Sequence, residues 1–237
     1  MRQLILLACL LPLGASADGK VSLSTGFEYS TGDYGAASDT ETWVIPLSIK
    51  YKTGDLTLKA ATSWLRVTGP GGVTPEGEEI GGAGARTTET GAGDLVVSAI
   101  WEALDSQNTW LNLDVGAKVK FGTADADRSL GTGENDYAVF AEVSKPVQAW
   151  YPFIKLGYSW RGDPTGLDYS NVWFGSAGAD YRISKTLSAG LYYDWREQLT
   201  ATGSEISEAT AYLNMRINDS NKLNVYAISG FSDASPD

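Results

Sequence analysis

Apolar and polar side chains take turns, residue by residue, through most of this 237-residue chain, and no other feature limits its fold so tightly. A side-chain period of two belongs to a β-strand whose two faces meet different surroundings. Over residues 110–121, Leu111, Leu113, Val115, Ala117, Val119 and Phe121 fall on one face; Asn112, Asp114, Gly116, Lys118 and Lys120 fall on the other. Residues 40–51 set Trp43, Ile45, Leu47, Ile49 and Tyr51 against Thr42, Val44, Pro46, Ser48 and Lys50. Residues 187–196 set Leu187, Ala189, Leu191, Tyr193 and Trp195 against Ser188, Gly190, Tyr192, Asp194 and Arg196. The pattern recurs near 20–30, 55–67, 94–103, 136–144, 151–161, 171–181, 208–217 and 222–231, which predicts eleven strands. Each is about long enough to cross a bilayer with tilt.

The connections between these strands alternate long and short. In order they fall near 31–39, 52–55, 68–93, 104–109, 122–135, 145–150, 162–170, 182–186, 198–207 and 218–221. Short turns at one end and long loops at the other are the plan of an antiparallel transmembrane β-barrel. A soluble sandwich has no reason to keep that plan through ten connections. All eight tryptophans lie at or near strand ends: Trp43, Trp64, Trp160, Trp173 and Trp195 at the long-loop end, Trp101, Trp110 and Trp150 at the short-turn end. Amphipathic rings prefer membrane interfaces, so two girdles are expected. Acidic residues crowd the long loops (Asp33, Asp39, Glu76, Glu78, Glu79, Glu89, Asp125, Asp127, Asp163, Asp168, Glu205), while the short turns carry Lys52, Lys145, Arg182, Lys185 and Lys222. An acidic loop face is most simply a solvated one. Shared divalent cations with lipopolysaccharide phosphates are the sharper reading.

The N-terminus reads as an export signal. Arg2 precedes an apolar run from Leu4 to Leu13, and Ala15-Ser16-Ala17 follows, so cleavage is expected before Asp18. A lipoprotein signal built on Leu6-Leu7-Ala8-Cys9 would leave too little apolar core before the cysteine. Residues 1–17 are therefore expected to leave, and 18–237 to form one barrel domain for the bacterial outer membrane, inserted by the barrel-assembly machinery. No segment is a continuous apolar stretch long enough for a spanning helix. Cys9 is the only cysteine, so disulfides are not expected to hold the mature protein together. The formal charge of −11 and the lack of a basic tract argue against a nucleic-acid partner. An odd strand number would leave an edge unpaired in lipid. About twelve strands are therefore expected, with eleven visible and a final C-terminal one missing.

Two segments carry a family resemblance. Gly91-Ala92-Gly93-Asp94 opens the strand LVVSAIWEAL, and residues 113–164 contain LDVGAKVKFGTADADRSLGTGENDYAVFAEVSK and PFIKLGYSWRGDP. The G-x-G-D opening, the strand exit from Lys118 to Thr123, Gly131-Thr132-Gly133 with Asp136, and Leu156-Gly157-Tyr158 resemble the meta-pathway phenol-degradation family of outer-membrane barrels, often described as transporters. The resemblance covers residues 90–165 well and the rest by architecture. It implies passage of small hydrophobic or aromatic compounds. Phe121-Gly122-Thr123 departs from the Pro-Thr-Gly type of exit commoner in that family.

Chemistry narrows the alternatives. The chain has no histidine, which removes acid–base mechanisms that lean on one, and no Cys/His metal site can form after the leader is gone. No G-x-x-x-x-G-K-[ST] string is present, so the glycine-rich 69–93 stretch is no phosphate loop. No cofactor is implied, and an enzyme is not expected. Parity points Asp114, Glu142, Asp180 and Asp194 inward, with Lys50, Lys59, Lys118, Lys120, Lys155, Arg161, Arg196 and Arg216 available to pair with them. Tyr192, Tyr212 and Tyr226 share that inward parity, as do Phe140, Phe153 and Phe174. These aromatics either stack on a flat ligand or pack as a plug. The long connection from Thr68 to Gly93 either folds inward as a constriction or stays outside as a surface loop. Two functions stand open: a channel or transporter for small solutes, and a non-conducting structural or surface-interaction barrel held among outer-membrane lipid and lipopolysaccharide.

Overall fold

The computed structural model describes residues 6–16, 19–34, 38–70 and 86–236, the first of these in its backbone only. Thirteen strands follow one another: β1 (Leu6–Ser16), β2 (Gly19–Gly32), β3 (Thr40–Thr53), β4 (Leu56–Gly69), β5 (Thr87–Ala92), β6 (Leu95–Leu104), β7 (Asn112–Phe121), β8 (Asp136–Ser144), β9 (Trp150–Trp160), β10 (Val172–Arg182), β11 (Leu187–Arg196), β12 (Ile206–Arg216) and β13 (Lys222–Gly230). All pair antiparallel. The β3–β4 ladder joins the two ends of the sheet order, so the pairings run in a ring. A closed ring leaves no edge to satisfy, which is what hydrocarbon surroundings demand of a backbone.

β4 is shared. Its outer half, Trp64 to Gly69, pairs with β5, and its inner half, Leu56 to Ala61, pairs with β6. β5 and β6 are thus one stave broken at Gly93-Asp94, and the thirteen strands occupy twelve positions. At the break the Gly93 amide donates to the Ser63 carbonyl (2.8 Å) and the Thr62 hydroxyl to the Gly93 carbonyl (3.3 Å). The sequence pattern treated 68–93 as one connection because a six-residue strand, half of it threonine, shows no apolar face. Residues 71–85 lie outside the described ones, and with them the question of whether that stretch constricts the lumen.

The twelfth position also differs from expectation. It is filled by β1, which pairs with β2 on one side and β13 on the other, and not by a strand after β13. The apolar N-terminal segment offers a strand-length stretch beside two open ladders, and pairing satisfies both. After β13 the chain turns back: Gly230 donates to the Pro236 carbonyl (2.9 Å), and Ser207 donates to the Ser235 hydroxyl (3.2 Å).

The outside of the ring is greasy. Ile45, Leu47, Ile49, Leu58, Val97, Val115, Val139, Ile154, Leu156, Leu191 and Leu213 are all exposed. In water such a belt would be far larger than the apolar patches soluble monomers tolerate. Seven of the eight tryptophans are exposed as well, and Trp195, half-buried, donates its indole N–H to Glu205 at the long-loop end (2.9 Å). This is the exterior of a membrane-spanning barrel with interfacial girdles. Trp110 sits in the connection before β7, one residue pair earlier than the strand itself begins.

Candidate functional site: the barrel lumen

Side chains that alternate with the greasy belt point inward, so parity fixes the lining. Every candidate named from the sequence lies on this inner face or at its rim. They are not distributed evenly.

At the long-loop mouth, opposite charges alternate. The Lys120 ammonium stands 3.2 Å from Asp94 and 3.1 Å from Asp136, and the Arg161 guanidinium stands 3.1 Å from Asp136. All four side chains are less than a tenth exposed. Around them the connection 122–135 folds into the mouth. Lys120 donates to the Thr132 hydroxyl (2.9 Å), Asp94 accepts from the Ala124 amide (2.8 Å), and Asp136 accepts from the Gly162 amide (2.9 Å). Leu130 packs against the inward-facing Val44 and Leu65, with Ala124 beside them. A Cβ on Gly131 would lie 2.6 Å from the Ala124 Cβ and 3.2 Å from both Asp94 carboxylate oxygens, so glycine allows the close packing here. Among the described residues, the connection 122–135 thus folds inward. The residues that carried the family resemblance, Asp94, Thr123, Thr132 and Asp136, converge on this cluster; Thr123 accepts from the Leu95 amide (2.9 Å). Sequence reasoning named Lys120 and Arg161 but missed Asp94 and Asp136 as their partners. The Gly-Asp and Asn-Asp strand openings were the available signal.

Mid-lumen, the aromatic rings stand on one wall. Inward parity gives Phe140 on β8, Tyr151 and Phe153 on β9, Phe174 on β10, Tyr192 on β11, Tyr212 on β12 and Tyr226 on β13. The inner faces of β2, β3, β4, β6 and β7 carry no aromatic residue. Three of these rings occupy the space over a glycine of the neighbouring strand: Phe140 over Gly116, Phe174 over Gly157 and Tyr212 over Gly190. The absent side chains leave room for these rings against the wall of the neighbouring strand. Phe153 and Tyr192 are 6.3 Å apart by ring centroid, Tyr192 and Tyr212 5.8 Å. The Lys155 ammonium lies 5.7 Å from the Phe140 ring centre. Asp180 accepts from Ser188 (2.9 Å) and bonds Tyr212, Asp194 bonds Ser176, and Tyr192 bonds Thr210. Tyr226 bonds Glu28, an inward acid that sequence reasoning did not name although its parity on β2 shows it. A pocket of about 160 Å³ is lined by Lys118, Lys155, Phe174, Asp194 and the buried Arg196.

At the short-turn end, like charges adjoin. The registers set Lys20 opposite Lys52, Lys50 opposite Lys59, and Arg216 opposite Lys222. Acids adjoin as well: Glu102 lies opposite Asp114, and Asp114 opposite Glu142, which on its other side faces Lys155. One pair bridges the groups, Lys52 with Glu102 at 3.2 Å.

Among the described residues no group of three or more acids, cysteines or histidines is placed to hold a metal ion.

Residues 27–232 match the family described as "Putative MetA-pathway of phenol degradation". The fold is similar to an outer-membrane channel from Pseudomonas putida F1, with a TM-score of 0.57, 15% identity, and coverage of 97% of this chain and 95% of that one. It is also similar to LpxR from Salmonella typhimurium, with a TM-score of 0.51, 8% identity, and coverage of 97% and 100%. No curated protein matches the sequence.

Proposed function

Because the chain belongs to the phenol-degradation family of outer-membrane barrels, we propose that it is an outer-membrane channel for small, flat, aromatic solutes. The observation that carries this reading is the one-sided aromatic wall. Rings seated over glycines of the neighbouring strand stay against the wall, whereas rings packed as a plug would project across the lumen. Stacking on such faces is sequence-tolerant toward any flat ring and contributes about 0.5–1.5 kcal/mol per pair. The pocket beside Phe174, at about 160 Å³, is of the size that accepts a single benzene ring.

Planar-bilayer recording of the refolded full chain tests this directly. Discrete conductance steps are expected, partly blocked by phenol from either side, with the block weakened in Phe140→Ala/Phe174→Ala. A bilayer that stays sealed at every voltage favours the second reading, a non-conducting barrel. The inward-folded 122–135 connection and its buried ion cluster are what support that alternative.

Residues 1–17 are proposed to leave during export. The place of β1 then passes to direct β2–β13 pairing or to another strand, since lipid leaves no ladder edge unpaired. Mass determination of the protein from outer-membrane fractions should give Asp18 as the first residue; retention of Leu6–Ser16 would overturn the leader assignment.

A further inference from the structure

We infer that the short-turn end of the lumen is a carboxylate-binding site, formed by Lys50, Lys59 and Lys222, and that it selects aromatic acids among the flat solutes. The inference deepens the channel reading and rests on it for its transport consequence. Directly opposed side chains on neighbouring strands stand about 4.5–5.5 Å apart at Cβ, and like charges placed so are destabilising. Three such basic pairs occur within a few residues of the short turns. The like charges of Lys222, Lys59 and Lys52 all act on Lys50, so the lysines of β3, β4 and β13 share one region of the lumen.

Neutralisation was available and is not used. The inward acids of this end, Glu102, Asp114 and Glu142, adjoin one another on β6, β7 and β8. Lys52 alone of the lysine group reaches one of them. Among the described residues Lys50, Lys59 and Lys222 stand in no ion pair. Mobile ammonium groups left together in an accessible lumen form a ready site for an anion.

The aromatic half of the ligand follows from what lies above. Tyr212 and Tyr226 sit directly opposite each other, each four residues up its strand from Arg216 and Lys222. Four residues of strand span about 13 Å, and an extended lysine side chain covers roughly half of that. A ring resting on the tyrosines can therefore place a carboxylate at the lysines. A neutral ring has no partner there, and a simple anion leaves the tyrosines uncovered.

The test measures binding without requiring conduction. 4-Fluorobenzoate and 4-fluorobenzyl alcohol are titrated by fluorine NMR into refolded full chain in neutral detergent at low salt. The acid is expected to bind about tenfold more tightly than the alcohol, and to lose that advantage as salt is raised past the point where the Debye length falls to about 3 Å. Lys50→Gln/Lys59→Gln/Lys222→Gln should remove the acid's advantage and leave the alcohol unchanged. The comparison of acid with alcohol on the unaltered protein needs no variant, so a failure of the triple variant to fold does not shield the inference. Equal binding of the two probes overturns it, as does a folded triple variant that still prefers the acid. Acid preference in a protein that passes no current overturns the channel reading alone. Current without acid preference overturns the carboxylate site alone.

Discussion

The two ends of the lumen hold the same residue types and use them in opposite ways. At the long-loop mouth, Asp94, Lys120, Asp136 and Arg161 alternate in sign and are buried. At the short-turn end, Lys50 faces Lys59, Arg216 faces Lys222, Glu102 faces Asp114, and the lysines remain open to the lumen. Burial explains the first arrangement. A charge out of water must be matched on the spot, and the matched set then holds the 122–135 connection in the mouth. Solvation permits the second, because water and salt screen like charges that stand in the open. Charge at the mouth is structural; charge at the inner end stays solvated.

The largest effect expected is at the mouth. Lys120→Met leaves buried Asp94 without its cation and Asp136 with Arg161 alone, and should destabilise the barrel by about 3–5 kcal/mol, read as a lower urea midpoint of the refolded protein. A loss below about 1 kcal/mol, the range of an exposed pair, would show that water reaches this cluster and dissolve the contrast. Next comes the wall between the ends. A Cβ on Gly157 would collide with the Phe174 ring, so Gly157→Val should cost about 1–3 kcal/mol by overpacking. Adding Phe174→Ala should recover most of it; an unrelieved loss would mean that the ring does not rest on that glycine.

Smaller and opposite in sign is the effect at the inner end. Lys50→Glu turns a repulsive cross-strand pair with Lys59 into an attractive one and should stabilise by about 0.2–1 kcal/mol at low salt. The gain should fade in 1 M salt, where the cost of Lys120→Met persists because buried charges escape screening. Least of all, Lys52→Gln should change stability by less than about 1 kcal/mol, since Lys52 and Glu102 are half and nearly one-third exposed. A large loss there would show that the inner end, too, is held by its ions.

Much of the lumen was legible because strand alternation is local. Once the outer face of a strand is known, every second residue points inward, which is why Lys59, Glu142, Tyr192 and Arg216 could be named in advance. Other features escaped for physical reasons. β5 has no apolar face, and β1 is apolar along its length, so neither shows a period of two.

By itself, then, the sequence determined which side chains meet lipid and which meet the lumen, and where the aromatic girdles stand, because those depend only on the pleat of each strand. Tertiary structure decided which inward residues become neighbours. That Lys120 falls between Asp94 and Asp136, while Lys50 falls beside Lys59, is a matter of register between strands, and register is set by ladders joining segments far apart in the chain.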